Sequence, residues 1–391
     1  MPDTSRSTPT LLTQGFRVFF LASAGWAVIS LVLWMAMLFT STEIPTRFAP
    51  ISWHIHEMLF GFVMAAVGGF LLTAIPNWTG RLPVKGAPLA VLAGLWLVGR
   101  VACLVSAWMP AWLSIVLDLS FTAYLILVAA REIVAAKHWR NLPMTAPVTV
   151  MGVANLLMHL EAGPFPGLSG LGWRLGLVAT LILISVIGGR IVPSFTRNWQ
   201  MKRNDPHLPA TAGRMDKIAL GTLHPAMLGW AFAPDSRIAG GLLILAGVIQ
   251  GVRLVRWNGW RTVEEPLLLI LHVGYGWMVA GVVLLGLPAL SHTVPLAGAV
   301  HALTAGSIGV MIAAVMTRAT RGHTGNPLTA DAATTALYGL VNAAAFLRVM
   351  AAFGLYPHLL IPLSAIAWIG AFAVFIVRYA PMLVLPRRIK G

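Results

Sequence analysis

The sequence predicts an all-α, polytopic integral membrane protein of about twelve transmembrane helices. Three observations carry this reading. Of the 391 residues, 58% are hydrophobic and only 10% are charged, whereas soluble domains use about 25% charged residues. The mean hydropathy is +0.81. The apolar residues also fall into runs of the ~20 residues that a helix needs to cross a bilayer.

Pro, Gly and basic clusters separate these runs and place spans at 16–40, 54–76, 86–107, 111–131, 142–161, 171–192, 213–232, 237–255, 265–288, 293–317, 331–355 and 358–381. The first run, from Phe16 to Thr40, is too long for the apolar core of a signal peptide, which is about 7–15 residues. It is therefore expected to be a retained span. The seventh is the weakest, because Asp216, Lys217 and His224 interrupt it. The longest connection, 193–212, is basic and contains Pro. It is expected to be a cytoplasmic loop joining the first six helices (1–192) to the last six (213–391) within one transmembrane domain.

The formal charge of +15 would suggest nucleic acid for a soluble chain. Here the basic residues read as orientation signals, and no nucleic-acid partner is expected. Nearly all of the 27 Lys and Arg fall in the termini and the even-numbered loops with their adjoining helix ends. The odd-numbered loops hold only Arg47, Arg174 and Arg237, and Arg100 and Arg348 lie inside spans. That asymmetry predicts cytoplasmic termini. The single cysteine, Cys103, excludes an internal disulfide and a Cys-rich metal site, and it is expected to pack between helices.

A repeat of four-helix units is visible. Spans two, six and ten end in related strings: Gly68-Gly69 to Pro76 and Thr79-Gly80-Arg81, Gly188-Gly189 to Pro193 and Thr196-Arg197, and Thr317-Arg318 to Thr320-Arg321. Arg100 and Arg348, in spans three and eleven, are each followed by Val.

Polar residues within the bilayer are costly and usually face the bundle interior with a partner. The predicted topology puts His54, His56 and Glu57 at the outer end of span two, and His159, His224, His301, Asp118, Arg100 and Arg348 in outer halves. His272 falls in an inner half. Imidazole is a neutral ligand for iron and copper, so several histidines at one depth on different helices point to a metal or haem site. A single such histidine would more simply hydrogen-bond between helices.

His54 and His56 are two residues apart, about 200° around a helix, so they suit two centres rather than one. Glu57, three residues from His54, is expected to orient a ligand imidazole or to cap the helix. His159 reads as a solvated helix end, His323 as a solvated loop residue and His138 as an interface anchor. His272 reads as either a second-site ligand or a packed residue. Arg100 and Arg348 are candidates to pair with haem propionates, and Asp118 to neutralise one of them if no haem is present. No phosphate loop, Ser-His-Asp arrangement or His-Glu-x-x-His motif occurs.

Ordered along nearly the whole chain are FRVFFLASAGWA (16–27), WHIHEMLFGF (53–62), GGFLLTAIPNWTGR (68–81), GGRIVPSFTRNW (188–199), LHVGYGWM (271–278), HALTAGSIGV (301–310) and VMTRATRGHTG (315–325). Together they resemble the NnrS family. The resemblance implies an inner-membrane protein that binds haem and copper and is linked to denitrification and nitric-oxide stress. Its ligand would be nitric oxide or its iron adducts. The motif histidines are His54, His56, His272, His301 and His323, with His224 also family-like. The expected metal ligands are His54, His56, His224, His272 and His301, with Arg100, Arg348 and Glu57 around the cofactor. His56 or His301 is expected on the haem iron, and His54 on copper. Two rival readings are a secondary transporter of a small anion or metal-related solute, and a redox enzyme of the nitric-oxide-reductase type.

Overall fold

The computed structural model describes residues 8–163, 165–291 and 293–386. Arg6, His292, Arg387, Arg388 and Lys390, which bear on the charge and depth readings, lie outside the described residues. Twelve long helices follow in order: α1 Gly15–Phe39, α2 Pro50–Thr79, α3 Ala87–Leu104, α4 Ala111–Ala135, α5 Thr145–Glu161, α6 Leu171–Lys202, α7 Arg214–Phe232, α8 Arg237–Val255, α9 Pro266–Gly286, α10 Leu296–His323, α11 Ala332–Ala352 and α12 Pro357–Val384.

All but α7 are long and apolar enough to cross a membrane, which gives eleven candidate spans. The exception is the segment whose charges make it the weakest in sequence. Arg214, Asp216 and Lys217 occupy its first turn, where Asp216 accepts the Gly213 N–H at 2.9 Å. Helix α6 continues to Lys202, so the connection expected at 193–212 is shorter. Residues 189–202 remain helical because their buried positions, Val192, Thr196 and Gln200, lie on one face.

Helices α2, α6 and α10 differ from the rest in two ways. Their apolar stretches are 72%, 67% and 72% buried, against 33–56% for the other spans. Each also contains a π-helical segment: Glu57–Val63, Ile184–Gly188 and Ala302–Gly309. Such widened turns commonly sit at functional sites.

The chain divides into two compact units. The first comprises 1–173, 319–327 and 375–391, and the second 174–318 and 328–374. In the first, α1 packs on α2, and α4 packs on α3 and α5. Buried Arg17 of α1 donates to the carbonyls of Met382, Leu383 and Leu385 at 3.1, 2.8 and 3.1 Å. A cation here satisfies carbonyls that the end of α12 leaves without intrahelical partners. In the second, α8 packs on α7 and α9, and the π-helical part of α10 packs on α9 and α11.

Candidate metal centre

In the first unit, α2 to α5 send polar side chains to one buried point. The Arg100 guanidinium of α3 donates to Glu57 Oε2 at 2.7 Å and, through its other terminal nitrogen, to Asp118 of α4. His56 sits between the same two acids. Its Nδ1 lies 2.9 Å from Glu57 Oε1, and its Nε2 lies 2.8 Å from Asn155 Oδ1 and 3.1 Å from Asp118 Oδ2. Asp118 Oδ2 also accepts from Asn155 Nδ2 at 2.8 Å and from His159 Nε2 at 3.0 Å, both on α5. Phe48 lies 4.7 Å from the His56 ring and 5.0 Å from the His159 ring, which seals the group with an aromatic face.

Hydrogen-bond accounting fixes much of the charge. Asn155 Nδ2 donates to Asp118, so Asn155 Oδ1 faces His56 Nε2, which must carry a proton. Between His56 Nδ1 and Glu57 Oε1 there is one further proton, whichever of the two holds it. The two carboxylates are then balanced by one guanidinium and that proton. A neutral total is what a buried ionic group requires, since an unbalanced charge there costs several kcal/mol.

Ligand atoms of His56, Cys103, Asp118 and His159 all lie within 4.8 Å of one another, and all four residues are buried. Imidazole, thiolate and carboxylate from four helices, α2 to α5, can therefore converge on one ion. The set combines a soft sulfur donor with nitrogen donors, which suits copper.

The structure brings together His56, Glu57 and Arg100 of the residues proposed from sequence, and Asp118 neutralises Arg100. The His54 ring is stacked on Trp34 at 4.8 Å and 16°. The His54 and His56 rings thus face different neighbours. Glu57 engages His56 rather than His54. The backbone passes from α- to π-helical geometry at Glu57, so the three-residue facing rule does not extend across this point.

His159 is buried against Asp118, not solvated at a helix end. Cys103 is buried as expected of a packing residue, yet it also belongs to the donor set. Sequence reasoning missed Asn155 altogether. The available signal was spacing: Asn155 and His159 are four apart on α5, and Arg100 and Cys103 three apart on α3, so each pair shares a face.

The other proposed residues lie in the second unit. His224 Nε2 is 2.9 Å from Ser185 Oγ. His272 Nε2 is 2.9 Å from Thr196 Oγ1, which itself donates to Val192 O. His301 Nδ1 is 2.7 Å from Ala297 O. Arg348 of α11 makes no ion pair among the described residues. Arg253, assigned from sequence to a cytoplasmic helix end, is buried. It donates to Asp216 at 2.8 Å, to Ser185 O at 3.0 Å and to Tyr275 at 2.8 Å. His323 ends α10 and packs 5.3 Å from the Phe16 ring.

Fold and site together define a multi-pass helical membrane protein with a buried cluster of metal-ligating side chains. The family model for the NnrS protein matches residues 10–387, and the chain belongs to this family of nitric-oxide-related membrane proteins. No curated protein matches the sequence.

Proposed function

We propose that this chain is a haem- and copper-binding protein of the bacterial inner membrane. It acts in the response to nitric oxide, in protection from nitrosative stress and in denitrification. The observation that carries the copper part is the convergence of His56, Cys103, Asp118 and His159 within 4.8 Å in the buried interior. Charge balance favours the reduced ion. Cu(I) in place of the Cys103 thiol proton leaves the net charge of the group unchanged, whereas a divalent ion in the same exchange leaves one uncompensated positive charge in the membrane interior. Imidazole and thiolate also suit Cu(I).

His301 supports the haem part. Its Nδ1 faces the Ala297 carbonyl, so Nδ1 carries the proton and Nε2 presents its lone pair. That is the usual tautomer of a metal-ligating histidine. By contrast both ring nitrogens of His56 are engaged and the ring is fully buried, which fits a small ion rather than a macrocycle. A bound haem would supply an iron able to take up nitric oxide, and this chain would hold, orient and shield it. Nitric oxide is small and apolar, so it reaches such a site from the bilayer.

Metal analysis and an absorption spectrum of purified protein test this reading. Wild type should carry copper and show a Soret band. Cys103→Ser and His159→Ala should lose copper and keep haem, and His301→Ala should lose haem and keep copper. Wild-type protein with neither would reject the proposal and favour the transporter.

A further inference from the structure

The first and third groups of four helices share one plan. His56 and His301 each stand immediately before a π-helical segment, Glu57–Val63 and Ala302–Gly309. Five residues after each histidine comes a glycine, Gly61 or Gly306, whose missing Cβ leaves room for an indole. A Cβ at Gly61 would collide with Trp26 of α1, and one at Gly306 would lie 2.6 Å from Trp277 of α9. Arg100 stands four residues before the end of α3 at Leu104, and Arg348 four before the end of α11 at Ala352. On the following helices, counted from Ala111 and Pro357, Asp118 and Ser364 are both eighth.

Within this shared plan the basic residue is kept and both acids are gone. Glu57, next after His56, becomes Ala302, next after His301. Asp118 becomes Ser364, whose hydroxyl donates instead to Ala344 O at 2.8 Å. Arg100 is therefore clamped between two carboxylates, while Arg348 makes no ion pair or hydrogen bond among the described residues. Its helix packs against residues 296–301, the turn that ends at His301. Several other acids of this unit have their own partners: Asp216 pairs with Arg253, Asp205 with Arg261, and Glu264 with Arg203, and Asp331 accepts from Thr334. Glu265 accepts from Leu267 N and Ala330 N.

A half-buried guanidinium in a spanning helix without a counter-ion is costly. One beside an imidazole with an open nitrogen is a place for an anion. We propose that Arg348 and His301 form a binding site for an oxyanion-bearing ligand, whose negative group takes the place that Glu57 and Asp118 occupy at Arg100. Guanidinium and carboxylate-like groups match in shape and charge, so the contact is a paired, charge-assisted one. The oxyanion is either a carboxylate of a haem held by His301 or a free small anion of the nitrite type. Only the first source rests on the haem reading above.

The test uses the full chain in maltoside micelles, which carry no phosphate, in chloride-free buffer. One arm titrates haem-free protein with nitrite by calorimetry. The other compares binding of haem with binding of haem whose propionates are esterified. Wild type should bind nitrite saturably, or should prefer free-acid haem to the ester by about tenfold, as loss of one charge-assisted hydrogen bond implies. In whichever arm responds, Arg348→Gln should weaken binding by about tenfold, and Arg348→Lys should recover much of it.

Ala302→Glu restores the acid of the first site, so it should block the oxyanion from within. If that variant does not fold, the Gln and Lys pair at Arg348 decides, with unchanged melting temperature as the control. Saturable nitrite binding without any haem binding would reject the haem reading and keep this site. Equal affinities of wild type, Arg348→Gln and Ala302→Glu in both arms would overturn the proposal, as would no response in either.

Discussion

Arg100 Nη1 donates to Glu57 Oε2 at 2.7 Å in the buried interior of the first unit. This bond joins α2 to α3 at the widened turn that follows His56, and it holds in place the acid that faces the imidazole. The same arginine also takes Asp118, so one cation positions both acids around His56. The arrangement explains how two carboxylates persist inside a membrane protein. It also makes the site sensitive to the loss of any one charge.

Arg100→Ala should leave two buried acids short of one positive charge. The expected loss of stability is about 3–5 kcal/mol, the usual penalty for breaking a buried ion pair on one side. Arg348→Gln removes no partnered charge and should cost no more than about 0.5 kcal/mol. Thermal unfolding of the two variants in the same detergent checks the contrast. Similar melting temperatures for both would mean that the Arg100 network contributes little.

The glycines of the two related groups give a second prediction. Gly61→Ala and Gly306→Ala each push a methyl group into a tryptophan ring, and overpacking of that kind costs about 1–3 kcal/mol. At Gly94, on α3, an added methyl group would meet nothing within 4 Å. Gly94→Ala should be neutral or mildly stabilising, since alanine favours a helix over glycine by about 1 kcal/mol. Unfolding midpoints of the three variants test this, and tolerance of alanine at both tryptophan-facing sites would remove the packing part of the shared plan.

The twelve helices are legible in sequence because a membrane makes hydrophobic run length a direct signal. Even the weakness of α7 can be read from Asp216 and Lys217. The site is legible only in part. His56, Glu57, Arg100 and Asp118 stand out as polar residues in apolar runs, but their partners depend on which helices touch. His159 resembles a solvated helix end because nothing local reveals Asp118 behind it. Cys103 resembles a packing residue for the same reason. The widened turns at Glu57 and Ala302 are invisible to a 3.6-residue period, so that period pairs Glu57 with the wrong histidine. Arg253 near the end of α8 resembles an orientation signal until Asp216 of α7 is seen beside it.

Orientation gives a third prediction. The basic bias of the termini and even-numbered loops predicts that both termini are cytoplasmic. A reporter fused after Gly391 should be active on the cytoplasmic side, and one inserted within 289–291, between α9 and α10, on the opposite side. A periplasmic C-terminus would invert the depth order on which the histidine reading rests.

The connection between α6 and α7 carries a pH-dependent clasp. Asp205 Oδ1 accepts the His207 N–H at 2.9 Å and the His207 ring at 3.0 Å, and Arg261 lies 3.2 Å from Oδ2. These bonds, the backbone one first, hold its carboxyl below the usual carboxylate range. A lowered folded value means that the clasp contributes fully above about pH 4, the ordinary aspartate value. It is lost as pH falls through the lower folded value. Hydrogen exchange at the His207 amide should show this acid step in wild type and not in Asp205→Asn. The same exchange profile in both proteins would contradict it.

The most direct test of the proposed copper centre is X-ray absorption at the copper edge, because the chain has one cysteine. The account predicts a sulfur scatterer together with nitrogen from imidazole in the wild-type protein. It further predicts that Cys103→Ser, still folded, loses copper, and that any copper it retains lacks the sulfur shell. A copper environment without sulfur, or one unchanged by Cys103→Ser, would contradict a centre built on His56, Cys103, Asp118 and His159.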